Sequence, residues 1–317
     1  MKKFLMLLGV IVYSTCSSGS TVDNISGNLT CTTKVTQNTV YLNNPSISDV
    51  SSIGKYKLVD SNQPFFSTVV LFAANIHGTD PNHPTLYYNS YFDKLLNSVE
   101  GINAIRTLQA EGIKVQLAYL GDHQNAGWSC NMNSDVAISL ANQMVSDAIV
   151  KYGLDGLSID DEYSTCKGNT QAFYNVVSAI KKNTKFSNKI LSMAAYAPDK
   201  IFFQSSTTNV ANFLDQVYEM TYAADVNYLT FYKEAGVPSQ NLFLGLWPSK
   251  NSQSMASRAT QDILNRNYGG IMIWAANTEF SSTNNATSYY SVIAQDEYKT
   301  DVFYSSISNT SLENMGF

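Results

Sequence analysis

Apolar residues gather in eight short bursts along this 317-residue chain, and between several of them they recur every three or four positions. Short apolar or alternating runs read as strands, and a period near 3.6 reads as an amphipathic helix. Strands are predicted over 39–43, 68–75, 114–120, 154–160, 189–194, 216–222, 241–246 and 270–274. Helices are predicted over 91–109, 134–152, 171–182 and 252–268, with 289–294 as a closing helix. The first connection, 45–66, is rich in Ser, Gly and Pro, so one helix is expected to be missing or replaced there. Eight strands in alternation with helices predict an α/β fold, the (β/α)8 TIM barrel. A doubly wound open sheet is the rival architecture. It is disfavoured because no glycine-rich phosphate loop follows an early strand, and because candidate chemistry lies at the ends of several strands.

The two ends of the chain lack this pattern. Residues 1–20 carry two lysines, an apolar run over 4–13 and then small residues, as a secretory signal peptide does. The apolar run is far shorter than the ~20 residues that span a bilayer. Cys16, in Tyr-Ser-Thr-Cys, opens a second reading in which a cleaved chain is lipid-anchored at the cell surface rather than secreted. Residues 21–34 are polar and read as a flexible leader, 35–300 as the barrel and 301–317 as a tail.

Composition narrows the partners. Twenty Lys and Arg against 25 Asp and Glu give a net charge of −5, without the basic footprint that nucleic acid requires. A neutral ligand needs no such patch. Cleavage near Cys16 would leave Cys31, Cys130 and Cys166, an odd number that allows at most one internal bridge. Cys130 and Cys166 both follow predicted strands and form the favoured pair, with free thiols as the alternative. His77, His83 and His123 sit in predicted loops, beside no serine motif or nucleophilic cysteine, and no spacing suggests a metal or cofactor site. Asn24, Asn28, Asn285 and Asn309 lie in Asn-x-Ser/Thr sequons, which matter in a cell that glycosylates secreted proteins.

The candidate chemistry lies in 154–163, Leu-Asp-Gly-Leu-Ser-Ile-Asp-Asp-Glu-Tyr. On a strand, Ser158, Asp160 and Glu162 share one face, while Leu157 and Ile159 share the other. Asp160 and Glu162 stand about 6.6 Å apart at roughly 3.3 Å rise per residue, so they approach a ligand from one side. Ordinary glycosidases flank the sugar with their two carboxylates. A neighbouring pair suits another division of labour, in which the outer acid protonates a leaving oxygen and the inner one steers a nucleophile belonging to the substrate. Asp155 and Asp161 face the other way and read as hydrogen-bonding groups of the scaffold.

Residues 155–162 resemble the Asp-Gly-x-Asp-x-Asp-x-Glu signature of glycoside hydrolase family 18, and Asp-Asp-Glu-Tyr at 160–163 is similar to its endo-β-N-acetylglucosaminidase branch. Segments 40–44, 71–76, 112–115 and 120–127 resemble that branch in the same order, and the similarity thins after Tyr163. Ser158 stands where many members carry the first Asp, a departure that bears on the pH profile. The resemblance implies a secreted hydrolase that cuts the chitobiose core of N-linked glycans without a cofactor, and a monomer is expected. It implies that Glu162 is the acid, with Asp160 as its helper. Tyr222, in Glu219-Met220-Thr221-Tyr222, would hold the acetamido group with Met220 beside it. Trp274 would floor the sugar. Asn75, Gln124, Trp128, Tyr163 and Trp247 are candidate glycan contacts at strand ends and loops. A chitinase and a non-catalytic glycan-binding barrel are the alternatives.

Overall fold

Strands covered on both faces need apolar residues throughout, and the eight central segments of this chain supply them. The computed structural model describes residues 20–25, 28–33 and 36–306. The central strands are β1 (Gln37–Asn43), β2 (Thr68–His77), β3 (Lys114–Gly121), β4 (Gly156–Asp160), β5 (Ile190–Ala195), β6 (Gln216–Glu219), β7 (Leu242–Leu246) and β8 (Gly270–Ile273). They pair in parallel and in sequence order, and β8 pairs with β1 to close the barrel. Every one of the eight predicted strands is present, and the fold is the (β/α)8 TIM barrel.

Alternation along each strand sorts the core into two layers. Val40, Leu71, Leu117, Leu157, Met193, Leu244 and Ile271 point outward into the large cluster shared with the helices. Tyr41, Val70, Ala118, Ala194, Tyr218, Phe243 and Met272 fill the barrel interior. Below them the interior is polar and hydrogen-bonded: Gln116 donates to Gln216 at 3.0 Å, Ser192 to Gln116 at 2.6 Å and Tyr218 to Gln216 at 2.6 Å. These partners make a buried polar layer tolerable.

The helices depart from the predicted pattern in detail. The 91–109 stretch is two helices, Ser90–Asn97 and Val99–Ala110, because Ser98 leaves helical geometry and caps the second through Gly101 N–H. The 134–152 stretch is helix Ser134–Val145 continued by a π-helical turn, Ser146–Lys151. The helix doubted after β1 is replaced by a short one, Ile47–Ile53, started by reciprocal bonds between Ser46 and Asp49. After β5 and β6 there are only short helices such as Ile201–Gln204 and Thr230–Glu234. The closing helix runs Thr283–Tyr298.

The ends also differ from expectation. Within the segment expected as a flexible leader, Ser20–Ile25 and Asn28–Thr33 pair as an antiparallel hairpin, consistent with their β-branched content. Val302–Tyr304, at the start of the expected tail, pairs antiparallel with Tyr56–Leu58. Residues 1–19 of the segment expected as a signal peptide, and the tail beyond 306, lie outside the described residues. No described helix is long and apolar enough to cross a membrane.

Candidate active site

β4 presents the two faces that its sequence predicts. Leu157 and Ile159 enter the outer core, whereas Ser158 hydrogen-bonds Tyr41 OH at 2.9 Å in the interior. Asp160 follows on the same face, 3% exposed, with Oδ1 buried and without a hydrogen-bond partner. Burial pushes its carboxyl well above the ordinary range, and the charges of Glu162, Asp199 and Asp161 push it further. Glu162 is half-buried just past the strand; burial raises its pKa, while a hydrogen bond from the Tyr196 hydroxyl and the charge of Lys167 pull the other way. Tyr196 and Tyr222, just past β5 and β6, each interact electrostatically with both Asp160 and Glu162. Two carboxyls on one desolvated wall resist ionising together.

The backbone behind Glu162 is fixed by the loop that follows β3. Glu162 C=O accepts from Gly121 N–H at 3.1 Å and from Ser164 N–H at 2.9 Å. His123 N–H donates to Tyr163 C=O at 2.7 Å, and Thr165 N–H donates to Gln124 C=O at 2.9 Å. The Cys130–Cys166 disulfide ties the same two loops together. A Cβ on Gly121 would lie 2.4 Å from Glu162 O, which explains glycine at that position.

Aromatic residues follow β6, β7 and β8 at the same end of the parallel barrel as the acids, and β8 lies opposite β4 in the strand order. Trp274 meets Phe72 edge to face at 4.9 Å and Tyr41 at 5.8 Å. Tyr222 meets Trp247 at 5.5 Å, accepts at its backbone C=O from the Asn251 side-chain amide at 3.0 Å and sits at φ 56°, in the left-handed region. Such backbone is unfavourable for a side-chain-bearing residue and clusters at functional sites. Lys250 Nζ covers the Trp247 ring at 4.0 Å. Acids and aromatic rings at one end of the barrel suit a ligand with polar edges and apolar C–H faces, as a pyranose has.

The chain matches no protein-family model. It is 31% identical over 250 residues to an endo-β-N-acetylglucosaminidase of a Flavobacterium species, covering 74% of this chain and 73% of that protein. The chain belongs to the endo-β-N-acetylglucosaminidases of glycoside hydrolase family 18. It is also 27% identical over 263 residues to endo-β-N-acetylglucosaminidase F1 of Elizabethkingia meningoseptica, covering 79% of this chain and 75% of that one. Among solved structures, EndoBT-3987 of Bacteroides thetaiotamicron, with a Man5GlcNAc product, superposes with a TM-score of 0.68 at 18% identity, over 85% of this chain and 62% of that one. The second catalytic domain of the Ostrinia furnacalis group II chitinase gives 0.59 at 15% identity, over 84% and 98% of the two chains. At those identities the structural likeness speaks for the barrel alone.

In this family 18 glycoside hydrolase the structure brings Asp160, Glu162 and Tyr222 together, and Met220 and Trp274 each pack against the interior cluster. Tyr163 is 52% exposed on the rim, its ring 5.2 Å from His123. Asn75 donates to Gly121 C=O, and Gln124 binds Gly78 N–H and His77, so both side chains brace the rim loops. Trp128 is a correction: it is wholly buried and donates to Tyr119 C=O at 2.8 Å, so it cannot reach a glycan. Asp155 accepts from Gln109 and Val115 N–H at the start of β4, and Asp161 accepts from Ser129, both as scaffold groups. His77 pairs with Asp122 and His83 with Asp80, and no group of potential metal ligands occurs among the described residues. Sequence reasoning missed Tyr196, Asp199, Tyr41 and Phe72. Asp199, 2% exposed, is pushed up to about 8 by burial.

Proposed function

We propose that this enzyme is an endo-β-N-acetylglucosaminidase that hydrolyses the GlcNAc-β-1,4-GlcNAc bond of N-linked glycan cores, with retention and with the substrate's own acetamido group as nucleophile. The observation that carries this reading is the buried, partnerless Oδ1 of Asp160 next to Glu162 on one wall, with Tyr222 alongside. Glu162, held protonated by its desolvated surroundings, donates to the glycosidic oxygen. Asp160 accepts from the acetamido N–H and Tyr222 donates to its carbonyl oxygen, which then attacks the anomeric carbon as the glycosidic bond breaks. The resulting cyclic oxazolinium carries a positive charge that the Asp160 carboxyl oxygen facing its N–H stabilises. Glu162, now ionised, takes a proton from water, and that water opens the ring. An internal nucleophile so positioned reaches effective molarities of roughly 10⁵ to 10⁸ M. No cofactor or metal enters this scheme.

The name of the Flavobacterium relative supports this substrate class. EndoBT-3987, a barrel of the same fold, is known in complex with a Man9GlcNAc2Asn substrate. The test is incubation with a high-mannose glycoprotein and, separately, with colloidal chitin, followed by mass analysis of both products. The expected outcome is release of an oligosaccharide from the glycoprotein alone, leaving one GlcNAc on each asparagine. Sugar released from chitin instead would make the chain a chitinase, and retention of glycan without release would make it a binding barrel.

A further inference from the structure

The parallel register pairs Asp160 of β4 with Ala194 of β5. Two residues further along the chain, just past the ends of the two strands, stand Glu162 and Tyr196, whose side chains are joined by a hydrogen bond. The backbone of Tyr196 is itself clamped. Its N–H donates to the Asp199 carboxyl at 3.1 Å, and its C=O accepts from Asp199 N–H at 3.1 Å and from Tyr232 OH at 3.2 Å. Asp199 is buried, so this clamp is shielded from solvent.

We propose that Tyr196 is the positioning residue of the acid: held through Asp199 and Tyr232, its hydroxyl fixes the Glu162 carboxyl. The inference rests on the reading of Glu162 as acid and base. An acid that must give up its proton and then serve as base gains from a donor that never ionises in the working range. Burial, with the charges of Glu162, Asp199 and Asp160, pushes the Tyr196 hydroxyl up, so it remains a donor throughout. Asp160 and Asp161 on the same chain segment, Asp199 past β5 and Tyr222 past β6 also interact electrostatically with Glu162, as do Tyr163 and Lys167 in its own loop. Of these groups, Tyr196 and Lys167 are the two that lower the Glu162 pKa.

The test is Tyr196→Phe, which keeps the ring and removes the hydroxyl. Carbon-13 titration of glutamate carboxyls, with the Glu162 signal assigned by its absence in Glu162→Gln, reads the acid directly and without substrate. A hydrogen bond to a charged group is strong enough for the Glu162 midpoint to rise by about one pH unit in the variant. The basic limb of kcat/KM should move up with it, and kcat should fall about tenfold. An unchanged Glu162 midpoint in folded Tyr196→Phe would overturn the proposal. If that variant does not fold, Tyr232→Phe loosens the clamp alone and should give a smaller rise in the same direction; a midpoint equal to the wild type would again overturn it. A wild-type enzyme that releases nothing from glycoprotein or chitin would sink the functional reading, while the substrate-free titration still decides the role of Tyr196.

Discussion

At the scale of single residues, the site depends on which carboxyl keeps its proton. Glu162→Gln removes proton transfer while preserving size, and positioned acid–base catalysis is worth about 10² to 10⁴-fold, so the variant should lose at least a hundredfold in kcat. Near-normal glycan release by that variant would end the assignment. The sign of the pH dependence follows from the direction of the Glu162 shift. In the proposed reaction Glu162 works protonated, and its pKa is raised above 4.5, so kcat/KM should fall as pH rises through a midpoint above the ordinary glutamate value. A basic limb at or below pH 4.5 would contradict this. Ser158 gives this site a character of its own, because its hydroxyl is engaged with Tyr41 and offers Asp160 no second carboxyl with which to share a proton. Trp274→Ala should raise KM about tenfold by removing the aromatic face that follows β8, with a smaller change in kcat. A KM equal to that of the wild type would show that the ring is only packing against Phe72 and Tyr41.

At the scale of elements, the alternation of β4 and the loop joined to it explain why the acid stands where it does. Local pattern sufficed to find all eight strands and to assign Ser158 and Asp160 to the polar face, since side-chain alternation is a property of any strand. The helices were less legible where one capping residue decides the outcome. Ser98 divides a stretch whose periodicity runs on almost without interruption, and Ser46 with Asp49 starts a helix in a segment too polar to suggest one. Gly121 offers a test at this scale. Gly121→Ala forces a Cβ against the Glu162 carbonyl and Ser164 N–H, so the loop must shift and carry Glu162 with it. We expect kcat to fall by roughly a hundredfold, as about 1 Å of misplacement can cause, together with a lower Tm. Unchanged kcat in a folded Gly121→Ala enzyme would mean that the β3 loop does not position the acid.

At the scale of the whole molecule, buried acids couple barrel closure to pH. Glu297, on the helix Thr283–Tyr298, accepts from Asn38 of β1 at 2.6 Å, and burial pushes its carboxyl up to about 7. Glu219 is raised to about 7 and Asp199 to about 8 by the same cause. Each holds a proton that the unfolded chain releases near pH 4, so the stability they contribute is complete below that pH and is lost as pH rises through 7 to 8. The Tm should therefore decline between pH 5 and 8. Glu297→Gln should flatten part of that decline, on the order of 1–2 kcal/mol at pH 8. An equally steep decline in the variant would exclude Glu297 as a contributor. The sequence by itself determined the strand count, the barrel class and the acidic pair, because period and spacing are local and survive without knowledge of neighbours. Tertiary structure alone decided that Trp128 is sealed in the core and that Tyr196 touches Glu162, and it settled the Cys130–Cys166 bond that the sequence favoured over free thiols. Those outcomes depend on strand register and loop approach between residues distant in sequence, and no local pattern encodes either.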